Sequence, residues 1–221
     1  MKKILLLSAI LLLGLSAYSD NTLCNVTDEG VVINGIRWAT RNVDMPGTFA
    51  ATPESFGMLF QWNRRKGWNV RDERMGVWDS SVPTGVEWEI ENDPCPEGWR
   101  VPTADELRSL QDAGSEWTSQ NRRNGRLFGI APYQIFLPVA GMRHHNDGTF
   151  DFVRRGFYQS STQRDAISAW NMSFDNHFAG FGNSGSRSHR ANGFSVRCVA
   201  DYNIERLEVL VGVEYEIFET E

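Results

Sequence analysis

The chain has 221 residues, 41% of them hydrophobic and 12% aromatic, enough for one sizeable core and too few for two comfortable domains. Its formal charge is −6, which becomes −8 once residues 1–19 are set aside, because they hold two of the 22 basic residues and none of the 28 acidic ones. That acidic balance argues against a nucleic-acid partner held through phosphate contacts.

The first residues read as a secretory signal peptide: Lys2 and Lys3, an apolar run from Ile4 to Leu15, then Ala17-Tyr18-Ser19, with cleavage expected after Ser19. Cys24 follows Asn21-Thr22-Leu23, not a small-residue tripeptide, so a lipid-modified N-terminus is not expected. Export places the chain in the periplasm, on the outer surface or in the medium, where disulfides are permitted. No later apolar run is long enough to span a bilayer, so no transmembrane segment is expected after signal removal. The organisation expected is a signal peptide over 1–19, a polar leader over 20–30, one domain over 31–201 and a tail over 202–221. In the tail, Val213 to Phe218 alternates apolar with acidic residues, as an edge strand does.

Val31-Val32-Ile33 and Ile36 to Thr40 flank Asn34-Gly35 and predict a hairpin. Met45 to Phe56 is an ordered loop, and Gly57 to Asn63 an aromatic strand or short helix. Trp68, Trp78 and Trp88 are separated by turn residues and are assigned to core and loop packing ahead of a sugar-stacking platform. Thr103-Ala104-Asp105-Glu106 is a capping box, in which the Thr hydroxyl and the Glu carboxylate satisfy each other's free amides. The helix it opens should run through Leu107 and Leu110 to about Asp112, with Gly114 as its stop. The stretch from Asn121 to Gly129 is basic and turn-rich, and Arg122, Arg123 and Arg126 are expected on a solvated edge.

Ile135 to Met142 predicts a buried strand. In His144-His145-Asn146-Asp147-Gly148, two histidines and an aspartate invite a metal reading, but Asn-Asp-Gly after an apolar run is ordinary turn composition. Only His177 and His189 remain to supply further imidazoles, so a turn is preferred and no metal or cofactor is expected. Two strand-like anchors, Leu137 to Gly141 with Phe157 to Thr162 on one side and Gly193 to Val199 on the other, hold a middle from Ser173 to Arg190 with no periodicity that would bury a face. Cys198, in the second anchor, has its partner in Cys95 of Asp93-Pro94-Cys95-Pro96. A loop of about a hundred residues gains about 4 to 5 kcal/mol from closure in the chain-entropy model. Cys24, in the leader, is left over.

Several of these motifs carry a resemblance: Trp38-Ala39-Thr40-Arg41-Asn42-Val43, Gly57-Met58-Leu59-Phe60-Gln61-Trp62, Cys95-Pro96-Glu97-Gly98-Trp99-Arg100-Val101-Pro102-Thr103, Leu137-Pro138-Val139-Ala140-Gly141, Tyr158-Gln159-Ser160-Ser161-Thr162 and Ser195-Val196-Arg197-Cys198-Val199. In this order they resemble the Fibrobacter succinogenes major paralogous domain, common in surface proteins of Bacteroidetes, over roughly residues 31 to 201. The resemblance implies an α+β, C-type-lectin-like fold of short, mostly antiparallel strands with one or two helices. That fold is shared more distantly with formylglycine-generating enzymes and with the variable proteins of diversity-generating retroelements.

The chemistry of those relatives is only partly present. Calcium-dependent lectins use Glu-Pro-Asn or Gln-Pro-Asp and a Trp-Asn-Asp run, because Ca²⁺ takes six to eight oxygen ligands. Neither tripeptide occurs, and in Trp170-Asn171-Met172 a methionine stands where the carboxylate would be. The reactive cysteine pair of the formylglycine-generating enzymes has no counterpart, since Cys95 and Cys198 sit in motifs that look structural. From Ser173 to Ile204 there is no Lys, Glu, Gln, Trp or Met. Adenine-specific mutagenesis of AAC or AAT codons cannot produce these five, so Ala169 to Asn192 is similar to a retroelement variable region, although surface loops are rich in Asn, Ser and Gly in any case.

The expectation is an exported or cell-surface protein without catalysis that binds a surface glycan or a protein ligand through a face implied to be hypervariable. Trp170, Asn171, Phe174, Asp175, Asn176, His177, Phe178, Phe181, Asn183, Arg187 and His189 are the candidate contacts, with aromatics for stacking and amides and Arg187 for directional hydrogen bonds. The alternatives are an exported polysaccharide-acting enzyme and a structural component of a surface assembly whose tail adds a strand to a neighbour.

Overall fold

A computed structural model describes residues 27–70, 77–181 and 188–201. The signal peptide, most of the leader, the tail, Cys24, Asn183 and Arg187 lie outside the described residues. Among the described residues, fourteen short strands and one α-helix make an α+β architecture in which every strand ladder is antiparallel.

The first hairpin forms as the Asn-Gly pair predicts. Strands β1 (Val31–Ile33) and β2 (Ile36–Trp38) are joined by Asn34 and Gly35 with φ of 50° and 80°, the left-handed pair that suits the twist of a two-residue hairpin. Strands β3 (Met58–Phe60) and β4 (Gly67–Asn69) pair next, and β5 (Trp99–Arg100) leads to the helix. Helix α1 (Ala104–Asp112) opens on the expected capping box: Thr103 Oγ1 accepts the Glu106 N–H at 3.2 Å and Glu106 Oε2 accepts the Thr103 N–H at 2.7 Å. Gly114, at φ 82°, follows its end.

Strands β6 (Ser115–Gln120), β7 (Arg123–Ile130) and β8 (Tyr133–Pro138) form a meander, and β9 (Met142–Arg143) pairs with β10 (Phe150–Asp151). The expected basic edge is therefore a hairpin, and only part of it is solvated. Arg122 is exposed in the turn and Arg123 lies over Phe56 at 4.6 Å. Arg126 is 8% exposed and donates to the Asp175 carbonyl and to Ser115, because its position on β7 faces inward. His144 to Thr149 is the turn between β9 and β10.

Strands β11 (Gly156–Gln163), β12 (Ala169–Phe174) and β13 (Ala179–Phe181) form a sheet with β12 in the middle, and α1 packs on it. Leu107 and Leu110 of the helix meet Met172, Phe174, Tyr158, Phe128 and Trp38 in the main core. Strand β14 (Val199–Ala200) returns to the first sheet between β2 and β5, with Val199 opposite both Trp38 and Arg100. The Cys95–Cys198 disulfide clamps this closure across a separation of 103 residues. No helix among the described residues is long and apolar enough to cross a membrane.

The middle of the second half differs from the unburied stretch that its composition predicts. Within Ser173 to Arg190 both ends are buried, Ser173 and Phe174 fully and Ser188 and Arg190 nearly so, whereas 175–181 and His189 are half-buried or exposed; the flanking Asn171, Met172, Ala191 and Asn192 are fully buried as well. Strand β12, flanked by β11 and β13 and covered by α1, is buried at every position but Trp170, so its burial leaves no alternation to read.

Candidate functional site

The segment 188–198 is threaded through the interior by arginines. Arg197 is fully buried, and its Nε and Nη2 donate to Asn42 Oδ1 at 3.0 and 2.7 Å, its Nη1 to the Ala39 carbonyl and its Nη2 to the Phe136 carbonyl. Asn42 in turn donates to Tyr158 Oη at 3.3 Å, and Tyr158 donates to the Pro138 carbonyl at 2.9 Å. Burial pushes the Tyr158 hydroxyl up to about 12. Arg190 lies 4.3 Å over Trp62 and donates to the carbonyls of Gly85 and Asp165 and to Gln163. Fixing 188–198 in this way places His189 at the surface end of a rigid frame.

The β11–β12 turn is equally determined. Asp165 Oδ1 accepts the N–H groups of Ile167 and Ser168 at 3.0 and 2.8 Å, which holds its carboxyl below the usual range. Arg190 N–H donates to the Ile167 carbonyl, and Ser168 bridges to His189. Arg164, exposed, lies over Trp170 at 4.9 Å; Trp170 stacks on Phe181 at 5.4 Å with planes 16° apart; Arg108 of α1 lies over Phe181 at 4.7 Å. The result is a ladder of Arg164, Trp170, Phe181 and Arg108 along the sheet margin, each cation meeting a ring face.

Next to this ladder is an open cleft of about 380 Å³ where the β11–β12 turn, the β9–β10 turn and residues 188–189 meet. His145 and His189 line it with ring centroids 4.2 Å apart, and Trp78 supports the β9–β10 turn by donating to the His145 carbonyl at 2.9 Å. Burial holds both imidazoles below their usual range, and the neighbouring histidines add to the shift. Among the described residues no group of three or more histidine, cysteine or acidic side chains is arranged to hold a metal ion.

The candidate contacts separate into three groups. Trp170, Phe181 and His189 gather around Arg164 at the start of β12. Asp175, Asn176, His177 and Phe178 form the β12–β13 turn at the other end of that six-residue strand, about 20 Å away. There Asp175 Oδ1 accepts the N–H groups of His177 and Phe178 while Oδ2 pairs with Arg155, so Asp175 and Phe178 secure the turn, and Asn176 and His177 are exposed. Asn171 and Phe174 form the third group. Both are fully buried, Phe174 against Phe128 and Tyr158, so their side chains face the interior and not a binding face.

Arg164, Ile167 and Ser168 carry no motif and are not among the residues that composition selects, and His145 reads from the sequence as a turn residue only. Only the pairing of His144-His145 marked that turn as unusual.

A larger hollow of about 880 Å³ surrounds the disulfide, with Trp88, Trp99, Asp93 and Arg100 on its walls. Its charges are committed to the fold. The two Asp93 oxygens accept the N–H groups of Cys95 and Val101, burial pushing that carboxyl up, and Arg100 grips Glu106 with two hydrogen bonds of 2.8 and 2.6 Å. Trp88, at 8% exposed, donates to the Asn92 carbonyl and meets Trp62 edge to face, which is packing. No protein-family model, curated protein or solved structure matches this chain.

Proposed function

We propose that the chain is an exported or cell-surface ligand-binding protein of C-type-lectin-like fold, related to the Fibrobacter succinogenes major paralogous domain and without catalytic activity. The observation that carries this reading is the arrangement around the start of β12. There an aromatic pair, two arginines and two histidines, brought together from β12, β13, α1, the β9–β10 and β11–β12 turns and residue 189, gather beside a central strand whose other side chains are buried. Rigid backing lowers the ordering cost of binding, which is what a recognition face needs. A disulfide is also compatible with the oxidising compartments to which a signal peptide leads.

Under the retroelement likeness, diversity falls on Asn176, His177, Phe181 and His189, which change without opening the core, and spares Ser173 and Phe174, while Trp170, a residue type the mutagenesis cannot produce, is a fixed part of the face. The test is a binding screen of the secreted chain against surface glycans and surface proteins, followed by Trp170→Ala, Phe181→Ala and His177→Ala. Loss of binding in the first two, with a melting temperature within a few degrees of wild type, is expected. Turnover of a glycan in the same screen would favour the enzyme alternative.

A further inference from the structure

The cleft beside Trp170 has a defined polarity. His144, His145 and His189 form a column with centroid spacings of 4.4 and 4.2 Å. Asn192 Oδ1 accepts the backbone N–H of His145 at 2.9 Å and lies 3.2 Å from His145 Nδ1, so that ring nitrogen carries the proton and Nε2 has the lone pair. His189 Nδ1 accepts the backbone N–H of Ala191 at 3.1 Å, so there the proton is on Nε2. The two stacked rings therefore offer one acceptor and one donor, and with a single free lone pair between them they suit hydroxyl groups and not a shared metal ion.

Arg164 completes the set. Its guanidinium lies 4.9 Å over the Trp170 ring, and among the described residues nothing accepts a hydrogen bond from it. The neighbouring carboxylate, Asp165, also lines the cleft; its Oδ1 is occupied by two backbone amides, and it meets Arg164 through charge attraction and not through a hydrogen bond. Arg143, Arg190 and Arg197 are buried and consumed by carbonyl and amide oxygens, whereas Arg164 is exposed and lines the cleft. Ile167, 54% exposed, adds an apolar wall.

Resting on the binding reading above, we infer that this cleft takes an anionic sugar residue. Its carboxylate or sulfate sits in the Arg164 fork, two neighbouring ring hydroxyls meet His145 Nε2 and His189 Nε2, and the C–H face lies against Ile167. A planar fork matches a planar or tetrahedral oxyanion with two parallel hydrogen bonds. A hydroxyl both donates and accepts, so a vicinal pair satisfies an acceptor and a donor together, whereas an acidic peptide presents its amides in a row that needs a strand edge. The cleft volume of about 380 Å³ is at the small end of the range of small-molecule sites.

The test is calorimetric titration of the secreted full chain with short oligosaccharides. The panel holds galacturonate, glucuronate and mannuronate oligomers, their fully methyl-esterified forms, sulfated oligomers of neutral sugars and the unsulfated parents, with an oligoglutamate peptide as a separate arm. At least one acidic oligosaccharide should bind. Esterification or desulfation should weaken it roughly 10- to 100-fold, and Arg164→Ala should weaken the acidic form by a similar factor and the neutral form little. Arg164→Lys, which keeps the charge and loses the fork, should recover only part. The uronate and sulfate arms separate the two sources of the anion. Equal binding of acid and neutral forms, indifference to Arg164→Ala, binding of oligoglutamate alone, or no binding across the panel would each overturn the inference. The wider reading has a separate readout. Neutral glycans or proteins that bind through Trp170 and Phe181 but ignore Arg164 leave it standing, and loss of every ligand in the earlier screen ends both.

Discussion

Arg197 and Arg164 are the same side chain put to opposite uses. Arg197 is buried without a hydrogen-bonded carboxylate, its donors spread over Asn42 Oδ1 and the carbonyls of Ala39 and Phe136, so that one guanidinium joins three distant stretches of chain. Arg164 stands at the rim of a cleft, stacked on Trp170, with no internal acceptor among the described residues. The first is part of what makes the fold unique, because every donor finds a partner only if the whole interior is assembled. The second stands exposed, open to an external group. An arginine belongs to the frame or to the site according to where its donors go.

The comparison predicts where damage falls. Replacing both Cys95 and Cys198 by Ser releases the closure next to Arg197. In the chain-entropy model this costs about 4 to 5 kcal/mol for a loop of this length, read as a lower urea midpoint. Arg197→Met keeps the volume and strands the Asn42, Ala39 and Phe136 oxygens, for an expected loss of about 3 to 5 kcal/mol in the same assay. A loss below 1 kcal/mol would mean that water enters and that Arg197 is not a staple.

Smaller effects follow from the Tyr158 hydroxyl beside Arg197. Its value is raised from 10.0 to about 12, so the fold prefers the neutral phenol. The stabilisation is complete below pH 10, where the unfolded tyrosine is also neutral. It fades as pH rises from 10 to 12, on the order of 2 to 3 kcal/mol in all. Tyr158→Phe should remove that alkaline limb from a stability profile, and a profile that stays the same would place the titration elsewhere. Arg164→Ala is expected to change stability by less than about 0.5 kcal/mol, because its side chain spans no buried groups. A large loss there would collapse the distinction between the two arginines.

Local chemistry was legible from residue order alone. The capping box at Thr103, the Asn34-Gly35 hairpin, the Gly114 stop and the turn through His144 to Thr149 each depend on a few adjacent residues whose backbone preferences are strong. The Cys95–Cys198 pairing was legible too, since two of three cysteines lay in ordered motifs and the third in a polar leader. The site was legible only in part. Trp170, Phe181 and His189 were chosen for their residue types and do reach the margin of the sheet, but Asn171 and Phe174 have the same composition and lie inside.

What residue order determined is therefore the set of local elements and the cross-link, each specified by short-range sterics, hydrogen bonding or a cysteine count. What tertiary structure decided is the fate of each polar side chain. β12 became a central strand because β11 and β13 flank it, which buried Asn171 and Ser173. His145 met His189 across a separation in sequence of more than forty residues, and Arg164 was left open while Arg197 was enclosed. Burial and partner choice are sums over contacts between distant stretches, and no window of adjacent residues contains them.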